Sequence, residues 1–327
     1  MAEVVTFGET MIRLSPPHFG RLEQTNQLDV NIGGAEWNVA GDLSRLGVST
    51  AWVSRLTDNA LGAMIRNKAR EQGVDTSHIV WTKEDRVGVY FVEFGAAPRA
   101  SSVLYDRSNT AISRIKPGEV DWEKVLKGAR WFHTSGITPG LSQSAARVTA
   151  EALQTAKKLG CRVSYDLNYR AKLWTTEEAM KCQVPLMEYV DVLISTEEDT
   201  RKVLGVSADS YREVAHKLEA NFNFEVVCIT LREDISVWRN RWTAIACAEG
   251  KIYDDRTYEV EIVDRVGAGD SFSAGFIYGY LTGDVTKGLR FGNAFSALKH
   301  SIPGDINWST RQEVENLITS GSLRISR

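Results

Sequence analysis

A chain of 327 residues with 43% hydrophobic and 25% charged side chains has the make-up of an ordinary globular protein, which excludes the disordered, collagenous and coiled-coil classes. It is long enough for one large α/β domain, or for a main domain with a smaller appendage. The formal net charge is −3, from 39 basic and 42 acidic residues. No Lys/Arg block occurs, so neither nucleic acid nor a polybasic membrane anchor is expected as a partner, and an anionic substrate must be met by a few local cations or by backbone N–H groups.

Val4–Phe7 reads as a buried strand that runs into Gly8, with Glu3 before it, a pattern unlike a signal peptide. Residues 10–32 break the α/β rhythm: Pro16, Pro17 and Gly20 precede an alternating run through Leu28, Val30 and Ile32. Helix-like stretches at 36–46 and 59–72 flank a strand at 51–56. Residues 86–112 alternate through Val87, Val89, Phe91, Val103 and Tyr105 with no helical period. Together with 10–34 they predict antiparallel strands forming a small β-sheet lid at the mouth of a site. Strands at 130–134, 162–167, 190–194 and 226–231 alternate with helices at 143–159, 176–188, 197–204 and 210–220. In 143–159, Ala145, Val148, Ala152, Leu153, Ala156 and Leu159 make an apolar face that Gly160 ends. From Ser271 the chain is helical again at 271–282, 285–300 and 310–319.

Strands alternating with helices of this length imply an α/β fold whose mainly parallel central sheet is covered on both faces. One domain over 1–327, with the lid inserted, is the simplest organisation. Nowhere do about 18 apolar residues run together, so no membrane partner is expected. The four cysteines, Cys161, Cys182, Cys228 and Cys247, lie far apart without a C-x-x-C pair. That spacing argues against a zinc or redox site and suits a reducing, cytoplasmic setting.

Two glycine motifs carry the chemistry. In the run from Val263 to Gly275, Gly267 and Gly269 flank Ala268 and end an extended stretch where a helix opens, with Asp270 in its first turn. Successive N–H groups there can converge on an anion at the positive end of the helix dipole. The other reading stands beside it: Asp270 as an N-cap and the glycines as a tight turn. In the run from Ile32 to Ala40, Gly33 and Gly34 let backbone approach a ligand, and Asn38 follows in the first helical turn. A glycine-rich turn with a solvated Asn38 reads equally well.

Together the motifs resemble the paired signatures of the ribokinase-like (PfkB) carbohydrate kinases, at Gly33-Gly34, Asn38 and Gly47 and again at Asp264 and Gly267-Ala268-Gly269-Asp270. The resemblance covers essentially the whole chain and implies a ribokinase-like α/β/α sandwich. It also implies ATP-dependent phosphorylation of a sugar hydroxyl. Asp270 would be the general base, the N–H groups of Ala268, Gly269 and Asp270 would form the anion hole, and Gly267 would belong to the same catalytic turn. ATP and Mg2+ would be required, and the nucleotide contacts would come from Thr196, Thr230, Arg232, Gly267, Gly269, Asn293 and Ala297. The family's Asn-x-x-Glu motif aligns with Thr196-Glu197-Glu198-Asp199. Both end positions differ, which leaves Asp199 as a metal ligand through water.

Within the family the sequence is most similar to the 2-keto-3-deoxygluconate kinases, on Ser135 to Thr138, Asp166 to Arg170, Tyr105 to Arg107, Gly88 to Tyr90 and Pro303 to Asp305. That likeness implies a sugar-acid substrate, converted to its 6-phosphate and held by Gly33, Gly34, Asn38, Tyr90, Tyr105, Arg107, Arg170 and Asp305. Arg170 follows a strand end and can grip a carboxylate bidentately. Its plainer reading is a pair with Asp166 or a helix cap, and the tyrosines read equally well as lid packing. Two further readings stay open: a kinase for fructose, ribose or a related sugar, and a non-catalytic sugar-binding regulator. An exposed lid face also makes a homo-oligomer an expectation.

Overall fold

The computed structural model describes residues 2–319. Its strands are β1 (Val4–Phe7), β2 (Met11–Ser15), β3 (Asp29–Gly33), β4 (Thr50–Val53), β5 (Arg55–Thr57), β6 (Val80–Thr82), β7 (Val89–Glu93) and β8 (Ser102–Asp106). They continue with β9 (Trp131–Ser135), β10 (Arg162–Asp166), β11 (Val192–Thr196), β12 (Val226–Ser236), β13 (Arg239–Ala248), β14 (Lys251–Asp254) and β15 (Tyr258–Glu261).

The large sheet has the order β14-β13-β12-β11-β10-β9-β1-β4, with β15 added beside β13. Neighbours from β12 to β4 are parallel, while β13 to β15 extend the sheet by antiparallel pairing. Side chains alternate between its faces. Val5, Phe7, Phe132, Val163, Leu193, Val227 and Ile229 pack against the helices Gln143–Lys158 and Tyr211–Phe222. Val4, Trp131, Val192, Ile194, Val226 and Cys228 pack against Ala35–Arg45, Ala268–Leu281 and Val285–Lys299. Burial on both sides explains why these strands read as continuous apolar runs. The result is the three-layer α/β/α sandwich expected from the sequence.

A separate four-stranded sheet has the order β3-β2-β7-β8. It draws on the two segments that break the rhythm, although its central pair, β2 with β7, is parallel rather than antiparallel. Other differences have local causes. The expected strand 51–56 divides at Ser54, because β5 leaves the large sheet to pair with β6. The expected helix 176–188 stops at Gln183, where Pro185 opens a 3-10 turn. The expected strand 226–231 runs on to Ser236 and returns as β13, a hairpin whose polar outer half is held by cross-strand partners.

Candidate active site

The carboxyl ends of β10, β11 and β12 and the amino end of the helix Ala268–Leu281 surround a cavity of about 650 Å³. Ligands in open α/β sheets bind in this position. Its lining includes Asp166, Asn168, Arg170, Thr196, Asp199, Thr230 and Arg232 from the strand ends. Gly33, Gly34, Asn38, Tyr90, Tyr105, Arg107 and Asp305 border it from the small-sheet side, and Gly267 to Asp270 form its floor.

The floor has a physical reason for its sequence. Gly267 adopts φ +86, and a Cβ there would overlap the carbonyl of Asp305, so only glycine fits. A Cβ on Gly269 would meet nothing within 4 Å, so that backbone faces open space. Helix Ala268–Leu281 begins here, and its first N–H groups have no intrahelical acceptors. The site can therefore receive an anion on backbone donors.

Asp270 stands in the first turn, half-buried. Burial pushes its carboxyl up to about 6, against the opposing effects of a hydrogen bond from Asn38 and the charge of Arg170. Asn38 Nδ2 donates to Asp270 Oδ2 at 2.6 Å, and Asn38 Oδ1 accepts from the Gly34 N–H at 3.4 Å. The first glycine motif thus aims an amide that orients the carboxylate of the second. The N-cap alternative for Asp270 does not hold, since Gly267 occupies that position and Asp270 lies inside the helix.

Behind the floor, the fully buried Arg13 donates to Asp264 at 2.6 Å and to Asp305 at 2.9 Å. Burial opposes its charge, but the two carboxylates outweigh that and hold it protonated. Asp264 also accepts from the N–H groups of Val266 and Gly304, both at 3.0 Å. This network fixes the loop entering the helix. Asp42, pushed up to about 8 by burial, accepts from Ser271 Oγ at 2.6 Å and braces the same turn.

Sugar-side residues differ in how free they are. Tyr90 donates to Asp305, and a Cβ on Gly33 would overlap both groups, so these three pack on one another. Arg107 pairs with Glu9 and lies 5.3 Å from the Tyr105 ring centroid. Arg170 is exposed and donates to the Tyr169 carbonyl at 3.1 Å. Burial raises the carboxyl groups of Asp166, Asp199 and Asp270, and the charge of Arg170 opposes that rise in all three. Asn168 borders the cavity, and its buried Oδ1 has no hydrogen-bond partner among the described residues.

On the nucleotide side, Thr196 caps the turn at Glu197–Asp199 by accepting from the Asp199 N–H at 3.1 Å. Thr230 donates to the Ser195 carbonyl at 3.4 Å, and Arg232 pairs with Asp234 at 3.4 Å. Asn293 and Ala297 fall elsewhere. Both are buried on the helix Val285–Lys299 outside the cavity lining, and Asn293 donates to Asp255 at 3.1 Å.

Asp166 and Asp199 fit a hard divalent cation. Burial, Asp270 and Asp199 push Asp166 up to about 8, and burial raises Asp199. A cation would relieve that crowding, and oxygen donors are what Mg2+ prefers. Asp166 is an addition to the expected set. Glu9, Arg13 and Asp42 are also additions; each acts through partners distant in sequence, so no local pattern marks them.

Comparison with known proteins agrees with this geometry. The family model for pfkB family carbohydrate kinases matches residues 1–311. A 2-dehydro-3-deoxygalactonokinase from Haloferax volcanii is 40% identical over 327 residues, covering 100% of this chain and 99% of that protein. A crystal structure of 2-dehydro-3-deoxygluconokinase from Thermotoga maritima is 47% identical with a TM-score of 0.95, covering 98% of this chain and 100% of that one. A 5-dehydro-2-deoxygluconokinase from Shouchella clausii is 30% identical over 307 residues, covering 91% of this chain and 90% of that protein. Among the described residues no helix is long and apolar enough to cross a membrane. The chain is a carbohydrate kinase and belongs to the pfkB family.

Proposed function

We propose that the protein phosphorylates a 2-keto-3-deoxy sugar acid at its 6-hydroxyl with ATP, 2-keto-3-deoxygluconate or its galacto epimer being the substrate. The two most similar relatives described above act, by name, on sugars of this class. The observation that carries the acid-sugar reading is the state of the arginines. Arg13 and Arg107 are neutralised by carboxylates inside the protein, whereas Arg170 borders the cavity and, among the described residues, forms no salt bridge, its charge acting on Asp166, Asp199 and Asp270 without direct pairing. A substrate carboxylate supplies that partner.

In the reaction, Asp270 accepts the proton of the attacking hydroxyl while Asn38 holds the carboxylate in line. The N–H groups of Ala268, Gly269 and Asp270 receive the charge of the transferring phosphoryl group, which needs positioning and neutralisation more than covalent help. Asp166 and Asp199 would hold Mg2+, which when bound neutralises phosphate charge. Thr196, Thr230 and Arg232 face the nucleotide. The small sheet acts as the lid of a single kinase domain, excluding water that would otherwise consume ATP. A cytoplasmic setting and a homo-oligomer complete the reading.

The test is ATP- and Mg2+-dependent turnover across 2-keto-3-deoxygluconate, 2-keto-3-deoxygalactonate, gluconate, fructose and ribose. Preference for the keto-deoxy acids supports the proposal. Preference for a neutral sugar leaves the kinase intact and removes the role given to Arg170.

A further inference from the structure

Away from the cavity, one group of metal-ligating side chains assembles among the described residues. His216, Glu219 and Cys247 bring their ligand atoms within 4.8 Å of one another. His216 and Glu219 are three residues apart on the helix Tyr211–Phe222, so they share a face. Cys247 lies near the end of β13 and faces that helix from the sheet, among the apolar side chains of the same layer. Since β13 is antiparallel to β12 and Cys247 pairs with Val227, the group sits at the amino ends of the parallel strands. The phosphoryl site lies at their carboxyl ends.

We infer that His216, Glu219 and Cys247 form a second metal site, one for a thiophilic divalent ion of the zinc type, which staples the helix Tyr211–Phe222 to β13. The spacing is close to what such an ion needs. Cys247 Sγ is 3.4 Å from His216 Nδ1 and 3.1 Å from Glu219 Oε2. Zinc-to-sulfur and zinc-to-nitrogen bonds of about 2.3 and 2.0–2.1 Å at a tetrahedral angle set those edges near 3.6 Å. Small rotamer adjustments close the difference.

The donor set selects the ion. One thiolate, one imidazole and one carboxylate suit zinc, whereas magnesium prefers an all-oxygen shell. A thiolate and a carboxylate together balance a divalent charge. Glu219 is already oriented for the task, because its Oε1 accepts the Gly250 N–H at 3.0 Å, and hydrogen bonds of this kind fix metal-binding carboxylates. His216 lies at the solvent-facing edge of the group, so the fourth position opens to water. Binding forms the metal–sulfur bond as the Cys247 thiol proton leaves to solvent, so affinity falls as pH is lowered.

The test uses the full chain, stripped of metals and kept reduced by a non-thiol agent, titrated with Co2+. One equivalent should produce a thiolate-to-cobalt charge-transfer band in the near ultraviolet and tetrahedral bands in the visible, all bleached by Zn2+. Cys247→Ser should lose the charge-transfer band. His216→Ala, at the solvent-facing edge, should keep the fold and weaken Co2+ binding at least about tenfold, since even outer-shell losses cost that much. Both variants should retain wild-type turnover with Mg2+ and ATP. Absence of the band in the wild type, its persistence in Cys247→Ser, or unchanged affinity in His216→Ala would each overturn the inference. If Cys247→Ser does not fold, the His216→Ala titration decides.

Discussion

Replacing Asn38 with leucine, nearly isosteric but without a donor, isolates what the first glycine motif does for the second. In the wild type the Asp270 carboxyl lies at about 6, raised by burial and restrained by the 2.6 Å bond from Asn38. The base works only when ionised, so kcat/KM should rise with pH through that value and be nearly maximal at pH 7. A hydrogen bond to a charged group is worth about 1.5–3 kcal/mol. At 1.36 kcal/mol per tenfold change in the protonation equilibrium, losing it moves the acid limb to about pH 7–8. The ionised fraction at pH 7 then drops from about nine-tenths to between a half and a tenth. Activity of Asn38→Leu should fall about twofold to tenfold at pH 7 and recover much of that by pH 9. The assay is a pH profile of kcat/KM for both proteins under matched ionic strength. A loss that is equal at every pH, with the limb unmoved, would refute the reasoning and reduce Asn38 to a packing role.

Arg13→Met should destabilise the fold by about 3–5 kcal/mol in denaturant unfolding, because Asp264 and Asp305 are left buried without their cation. Gly267→Ala should lower kcat by up to about 10²-fold through displacement of the anion-binding turn, read from steady-state kinetics. Arg170→Ala should raise KM for a keto-deoxy sugar acid by at least about tenfold, in keeping with loss of a charged hydrogen-bond pair, while leaving KM for a neutral sugar nearly unchanged.

What could be read from the sequence was what is local. The apolar face of Ala145, Val148, Ala152 and Ala156 produces the helix Gln143–Lys158 where the period places it. Gly267 marks a helix start because the backbone there, at φ +86 against the Asp305 carbonyl, requires glycine. The outer half of β12 was not legible, because Arg232, Glu233 and Asp234 form a strand only through pairing with Arg241, Trp242 and their neighbours. The Arg13 network spans 251 and 292 residues of sequence, and no periodicity reports contacts of that range. Pattern alone also leaves open whether an arginine is free. Arg107 and Arg170 look alike in the sequence, yet Glu9 pairs with one, while the other forms no salt bridge among the described residues.

Asp270→Asn tests most directly whether Asp270 is the base of a sugar-acid kinase. Turnover of 2-keto-3-deoxygluconate with ATP and Mg2+ should fall by about 10²–10⁴-fold, with thermal unfolding no less cooperative than in the wild type. Near-wild-type turnover in the folded variant would contradict the assignment.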